Sequence, residues 1–166
     1  MLDIADMYIR DAQPEEAMQL WQLFHDTIHT VSGAHYSPEQ QLAWAPHNPD
    51  ESAWQTRMTA TRPFVVVAEE AGKGQIVGFS DLQDDGLVDF LFVHHRWQGQ
   101  GVAGLLLREV ERRAAQAGMP QLHSFVSLTA EPVFRHFGFV VDYRQRLQVR
   151  GVELPNCHMI KLRQVP

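Results

Sequence analysis

Apolar residues recur at helical spacing from Ala17 through Leu20, Trp21, Phe24, Ile28 and Val31, which makes one face of an early helix. Pro14 suits its first turn, and Glu15 and Glu16 complement the dipole there. A short strand over 7–10 precedes it, and Ser32-Gly33 breaks it. Ser37 caps a helix opening on Pro38 and carrying Leu42 and Trp44, which Pro46, Asn48 and Pro49 end. Asp50 caps a third helix, 51–61, with Trp54 and Met58 four apart. The pattern then changes to apolar, β-branched runs. Segments 64–70, 75–82 and 87–93, joined by Ala71-Gly-Lys-Gly74 and Asp84-Asp85-Gly86, predict an antiparallel meander. The third segment is apolar on both faces except for Asp89 and belongs inside the sheet. Residues 98–117 predict a helix with Val102, Leu106, Val110, Ala114 and Ala117 inward, stopped by Gly118 and Pro120. The strand at 122–127, reached through that helical crossover, runs parallel to 87–93. A short helix capped by Thr129 ends at Gly138, and 139–149 with 152–162 close the chain as a hairpin turning at Arg150-Gly151. The order predicts one α/β domain spanning 1–166, with a mixed sheet.

Composition adds limits. With 45% hydrophobic and 20% charged residues, the 166-residue chain is an ordinary globular protein. A net charge of −6 argues against a general nucleic-acid binder. Cys157 is the one cysteine, so no internal disulfide forms and a reducing cytoplasm is the expected compartment. No run approaches the ~20 apolar residues of a membrane span, so no membrane association is expected. The acidic start, Met1-Leu-Asp-Ile-Ala-Asp6, is not that of a leader peptide.

Two local patterns carry candidate chemistry. His25 and His29 share a helix face with zinc-binding spacing, but Asp26 stands where the His-Glu-x-x-His pattern has Glu, and no third-ligand pattern follows. They read as boundary histidines beside the apolar stripe, and no metal is expected. His35 and Tyr36, a polar-aromatic pair exposed at a helix junction, are candidate substrate contacts.

Between the strand ending at Val93 and the following helix lies Gln98-Gly-Gln-Gly-Val-Ala-Gly104. Glycines at a helix start uncover backbone N–H groups where the dipole adds partial positive charge, which makes a phosphate cradle. A Walker A loop would need a Lys that is absent here. Gly99 to Gly104 does match G-x-G-x-x-G, but the upstream strands are joined by tight turns, without the βαβ unit of a dinucleotide fold.

The run Phe90-Leu-Phe-Val-His-His-Arg-Trp-Gln-Gly-Gln-Gly-Val-Ala-Gly-Leu-Leu resembles the core motif of the GNAT (Gcn5-related N-acetyltransferase) family, Gln/Arg-x-x-Gly-x-Gly/Ala, at Gln98, Gly101 and Ala103. Ser127-Leu-Thr-Ala-Glu-Pro-Val-Phe-Arg-His-Phe-Gly-Phe139 is similar to the family's second motif. His35-Tyr-Ser-Pro-Glu-Gln and Ala43-Trp-Ala resemble the YafP-like subgroup of small bacterial acetyltransferases. The resemblance implies a mostly antiparallel sheet of six to seven strands flanked by helices and splayed at its central parallel pair. It implies acetyl-coenzyme A as donor and direct attack by an amine of a small molecule or peptide. The pyrophosphate would lie on Gln98, Gly99, Gln100, Gly101, Val102, Ala103 and Gly104, with Arg96 near by. The pantetheine arm would run along Leu91, Phe92 and Val93, and amides near Phe92 and Val93 would polarise the thioester.

Two positions depart from the pattern. Ser127 replaces the usual Asn, and Phe134 replaces the Tyr that often protonates the leaving thiolate. Asp89 is the candidate base. Tyr36 is the first candidate acid and Tyr143 the second, with water as the alternative. His35, Tyr36, Trp44 and Trp54 would line the acceptor side. The vacancy at Phe134 keeps a second reading open, a non-catalytic acyl-coenzyme A sensor. The sequence leaves a homodimer open.

Overall fold

The computed structural model describes residues 6–164, so all of the acidic N-terminal stretch except Asp6 lies outside the described residues. Strands β1 (Met7–Asp11), β2 (Phe64–Glu70), β3 (Lys73–Ser80) and β4 (Leu91–Val93) form one antiparallel sheet in that order. Strands β5 (Gln121–Ser127), β6 (Val140–Val149) and β7 (Val152–Leu162) form a second, in the order β5-β7-β6. Helices α1 (Ala17–Val31), α2 (Pro38–Trp44) and α3 (Glu51–Thr61) lie between β1 and β2; α4 (Val102–Gln116) follows β4, and α5 (Glu131–His136) follows β5.

β2 explains why its sequence is a continuous apolar run. Phe64, Val66 and Ala68 pack with Val102, Leu106 and Val110 of α4, while Val65 and Val67 pack with Leu20, Phe24 and Trp54 of α1 and α3. Successive side chains alternate between the two faces, and both faces are covered by helices.

The central segment differs from the sequence expectation. Residues 87–93 are strand only over Leu91–Val93. The cause is Asp81, a fully buried carboxylate just beyond β3. Its Oδ1 accepts the N–H groups of Asp89 (2.9 Å) and Phe90 (2.8 Å), so a side chain takes donors that a strand would have offered its neighbour. The parallel pairing shrinks to a single bridge, Leu87 with His123. Val88 N–H donates to His123 O at 2.9 Å and Ser124 Oγ donates to Val88 O at 2.6 Å; beyond these the two sheets diverge. Gly86 is required at this junction. Its φ is +86°, and a Cβ there would lie 2.2 Å from the Gln121 carbonyl oxygen.

Helix α4 also starts later than its periodicity suggests, at Val102 rather than Gln98. Gly99 (φ +72°) and Gly101 (φ +86°) are left-handed, so the cradle is a turn leading into the helix. The caps at Ser37 and Asp50 form as expected, each accepting a backbone N–H of its helix. For α5 the preceding residue is Ala130, and Thr129 is not the cap.

Candidate active site

The divergence of β4 from β5 opens a cleft. Its narrower chamber, about 100 Å³, is lined by Thr27, Leu91, Val93, Gln98, Ala103 and Ser127 among others. The wider chamber, about 250 Å³, reaches Arg57, Asp89, Tyr36, Phe134 and Pro155. The two share Trp44, Leu91, Phe92, Ser127 and Ala130, so they form one channel bent around β4.

The pleat decides which amides of β4 face this channel. His94 N–H donates to Val77 O of β3 at 2.8 Å, so the Val93 carbonyl points the other way. It does so, accepting Thr27 Oγ1 at 3.0 Å and Gln98 Nε2 at 2.8 Å. A strand residue points its N–H and C=O to the same side, so the Val93 and Leu91 amides lie on the open edge and those of Phe92 face β3. Phe92 contributes its ring to the channel, packed against Phe24 at 4.8 Å between centroids.

The cradle meets the narrower chamber. The first hydrogen bond of α4 runs from Leu105 N–H to Gly101 O, so the amides of Val102, Ala103 and Gly104 precede the helical ladder. Gly99 has open space around a would-be Cβ, and α4 sits tightly on β3, where a Cβ on Gly78 would meet Val102 Cγ1 at 2.8 Å. Gln98 spans from the cradle to β4, and Gln100 Nε2 returns to Arg96 O at 3.4 Å. Three aligned donors at the positive end of a fifteen-residue helix fit a pyrophosphate.

At the other end Asp89 lies on the loop before β4, with its Oδ2 accepting Arg57 Nη2 at 3.0 Å and Nε at 3.2 Å. The Arg57 guanidinium lies over the Phe90 ring at 4.3 Å. The partner of the Asp89 carboxylate is Arg57 from α3, a residue to which sequence spacing gives no pointer. Asp81 likewise carries no signal in the sequence. It fixes the backbone from which Asp89 projects, so it is a positioning residue. Burial pushes its pKa up to about 7, against the hydrogen bonds it accepts from Phe90, Gln83 and Asp89.

Asp81 thus titrates higher folded than unfolded, and folding takes up a proton between the two values. Its contribution to stability is fully present below the unfolded value and is lost as pH rises through about 7. Relative to Asp81→Asn, the wild type is expected to lose roughly 3 kcal/mol between pH 5 and pH 8. Urea unfolding of both proteins at the two pH values measures it. Parallel curves would show that Asp81 keeps its ordinary acidity.

Other expected contacts are placed differently. Tyr36, expected to be exposed, is 4% exposed. Its hydroxyl donates to Pro155 O at 2.6 Å and accepts Leu128 N–H at 3.0 Å, and burial pushes its pKa up. Trp44 lines both chambers. Trp54 is a core residue donating Nε1–H to Ala17 O at 2.7 Å, so it does not line the acceptor side. His35 is exposed, with Nδ1 3.0 Å from Thr129 Oγ1. Tyr143 stacks on His158 at 5.0 Å on the far sheet. Ser127 Oγ accepts Ala130 N–H at 3.1 Å, which leaves its own proton free to donate. Phe134 is buried against Phe139 at 5.0 Å and brings no polar atom. Cys157 is fully buried, and burial raises its pKa, so it is no candidate nucleophile.

This fold recurs in known proteins. Residues 33–161 match the acetyltransferase (GNAT) domain family. The uncharacterized N-acetyltransferase YafP of Escherichia coli (strain K12) is 30% identical over 154 residues, covering 93% of this chain and 95% of that protein. A GCN5-related N-acetyltransferase structure from Rhodopseudomonas palustris superposes with a TM-score of 0.87 at 28% identity, covering 98% of this chain and 99% of that one. The PaiA N-acetyltransferase of Thermoplasma acidophilum, solved with coenzyme A, shares the fold at a TM-score of 0.70 and 15% identity, covering 95% of this chain and 99% of that one. The match over residues 33–161 and the likeness to YafP along nearly its whole length show that this chain belongs to the GNAT family and is an N-acetyltransferase.

Proposed function

We propose that the protein transfers the acetyl group of acetyl-coenzyme A to a primary amine of a small molecule or peptide, with Asp89 receiving the amine's proton. One observation carries this reading. A single channel joins a helix-start cradle and an unpaired strand edge at one end to an arginine-held carboxylate at the other. When bound, acetyl-coenzyme A supplies the activated acetyl thioester. The amides of Val102, Ala103 and Gly104 hold its pyrophosphate, and the open edge of β4 pairs with its pantetheine amides. The Val93 N–H, on that edge, donates to the thioester oxygen as charge develops there.

An alkylammonium has a pKa near ~10 and must lose a proton before attacking. Asp89 attracts the cation and takes this proton directly or through one water. The amine nitrogen bonds to the acetyl carbon as the carbon–sulfur bond breaks, and the nitrogen releases its second proton to water. Phe134 has no proton for the thiolate, and the Tyr36 proton is already held by Pro155 O. Ionising Tyr36 would leave a buried phenolate beside that carbonyl, so water delivers the proton and Tyr36 shapes the chamber. The buried free thiol of Cys157 suits a cytoplasmic setting. Among the described residues, no helix is long and apolar enough to cross a membrane.

Amine-dependent release of free thiol from acetyl-coenzyme A across an amine panel is the expected result. Release no faster with amines than without them overturns the reading. Tyr36→Phe is expected to lower stability by about 1–3 kcal/mol, because Leu128 N–H and Pro155 O lose their partner. Its kcat should fall less than about tenfold. A loss near a hundredfold with unchanged cofactor affinity would instead make Tyr36 the acid.

Phe134 favours one second reading, an acyl-coenzyme A sensor. That reading predicts tight cofactor binding, no turnover, and cofactor-dependent capture of a partner.

A further inference from the structure

Apart from the channel, the fold gathers three histidines that the proposed reaction does not use. His25 and His29 lie one turn apart on α1, and His47 follows α2 on the loop to α3. The sequence offers no third ligand spaced to the helical pair; the return of the chain through α2 supplies one. A ring nitrogen from each of the three lies within 4.8 Å of the others.

Hydrogen bonds assign the free nitrogens. His29 Nε2 is 2.7 Å from the Ala45 carbonyl, which can only accept, so Nε2 carries the proton and Nδ1 keeps its lone pair. His25 Nδ1 faces Asp26 Oδ1 at 3.4 Å, which orients its Nε2 as the free nitrogen. That Nε2 is hydrogen-bonded to His47 Nδ1 at 2.9 Å, so one of the two carries a proton that an arriving metal ion would displace. Backbone-carbonyl and carboxylate partners behind ring nitrogens are the arrangement that orients metal-binding imidazoles.

We propose that His25 Nε2, His29 Nδ1 and His47 Nδ1 bind one divalent transition-metal ion of the imidazole-preferring class, with Zn²⁺ as its representative. Ligands at ~2.0–2.1 Å in tetrahedral array sit about 3.3 Å apart, so small ring rotations bring the three nitrogens into place. His47 is exposed, which leaves the fourth position to water. The ion would tie α1 to the segment following Trp44. Phe24 of α1 and Trp44 are in edge contact at 6.4 Å, and both line the acceptor chamber. Its role is therefore to stiffen that wall, outside the acetyl-transfer chemistry.

The test is titration of chelator-treated full-length protein with Zn²⁺ by calorimetry, with thermal melts alongside. One equivalent should bind and raise Tm. His47→Ala and His29→Gln should each weaken binding more than about tenfold, while His158→Ala, which removes the ring 3.0 Å from His123 on the second sheet, should leave it unchanged. His47 is exposed, so its variant should fold, and unchanged coenzyme A binding verifies that. Absence of saturable binding near one equivalent, or equal affinity in wild type and both cluster variants, overturns the proposal. The measurement is of metal binding alone, so it succeeds or fails independently of the acetyl-transfer assay.

Discussion

Gly101→Val is expected to remove measurable coenzyme A binding, a loss of more than about a hundredfold in Kd. Gly101 caps α4 with φ +86° and ψ 5°, a left-handed conformation that a β-branched residue adopts only with strain of about 1–3 kcal/mol. The strain can be relieved only by turning the peptide that aims the first free amides of the helix. The valine side chain would also stand where the phosphates approach the backbone. Gly99→Ala is the informative contrast. Gly99 is also left-handed (φ +72°), but a Cβ there meets nothing within 4 Å. Alanine should therefore cost about 1 kcal/mol of backbone strain and weaken binding only a few-fold. Calorimetric titration with coenzyme A, with circular dichroism to verify folding, measures both. Near-equal affinities for Gly101→Val and wild type would place the pyrophosphate away from the α4 start.

Asp89→Asn is expected to lower kcat by about a hundredfold while leaving the Kd for acetyl-coenzyme A unchanged. The substitution keeps the shape, and the Asn oxygen can still accept from Arg57. The loop remains fixed, because Asp81 holds the backbone amides of Asp89 and Phe90 and not the Asp89 side chain. What is lost is the negative charge facing an incoming ammonium and the site that takes its proton. The deficit should shrink as pH rises toward the amine's own pKa, where more acceptor arrives unprotonated. A steady-state comparison across pH with one saturating amine tests this. An unchanged kcat at neutral pH would remove Asp89 from the chemistry and leave proton loss to solvent.

Much of the scaffold is local and therefore legible from the chain. The period of Ala17 to Val31, the caps at Ser37 and Asp50, and the Arg150-Gly151 turn each depend on residues a few positions apart, and each forms. The cradle is local too, since glycines and a helix start are consecutive. The strand is shorter than the apolar run 87–93, because that pattern says what is buried but not where its amides go. Asp81, eight and nine residues earlier, takes two of them. Tyr36 misleads in a similar way: a polar-aromatic residue between two helices suggests exposure, yet Pro155 and Leu128 arrive to bury its hydroxyl.

The sequence by itself determined the family, the helix-start cradle and the absence of a phenol at position 134, because consecutive residues carry all three. Only the tertiary structure decided the partners. Arg57 reaches Asp89 across 32 positions, Tyr36 reaches Pro155 across 119, and His47 reaches His25 across 22. The physical reason is that periodicity encodes which face of an element is apolar, whereas side-chain pairing depends on how separate elements pack. A carboxylate's partner and a metal's third ligand exist only after that packing.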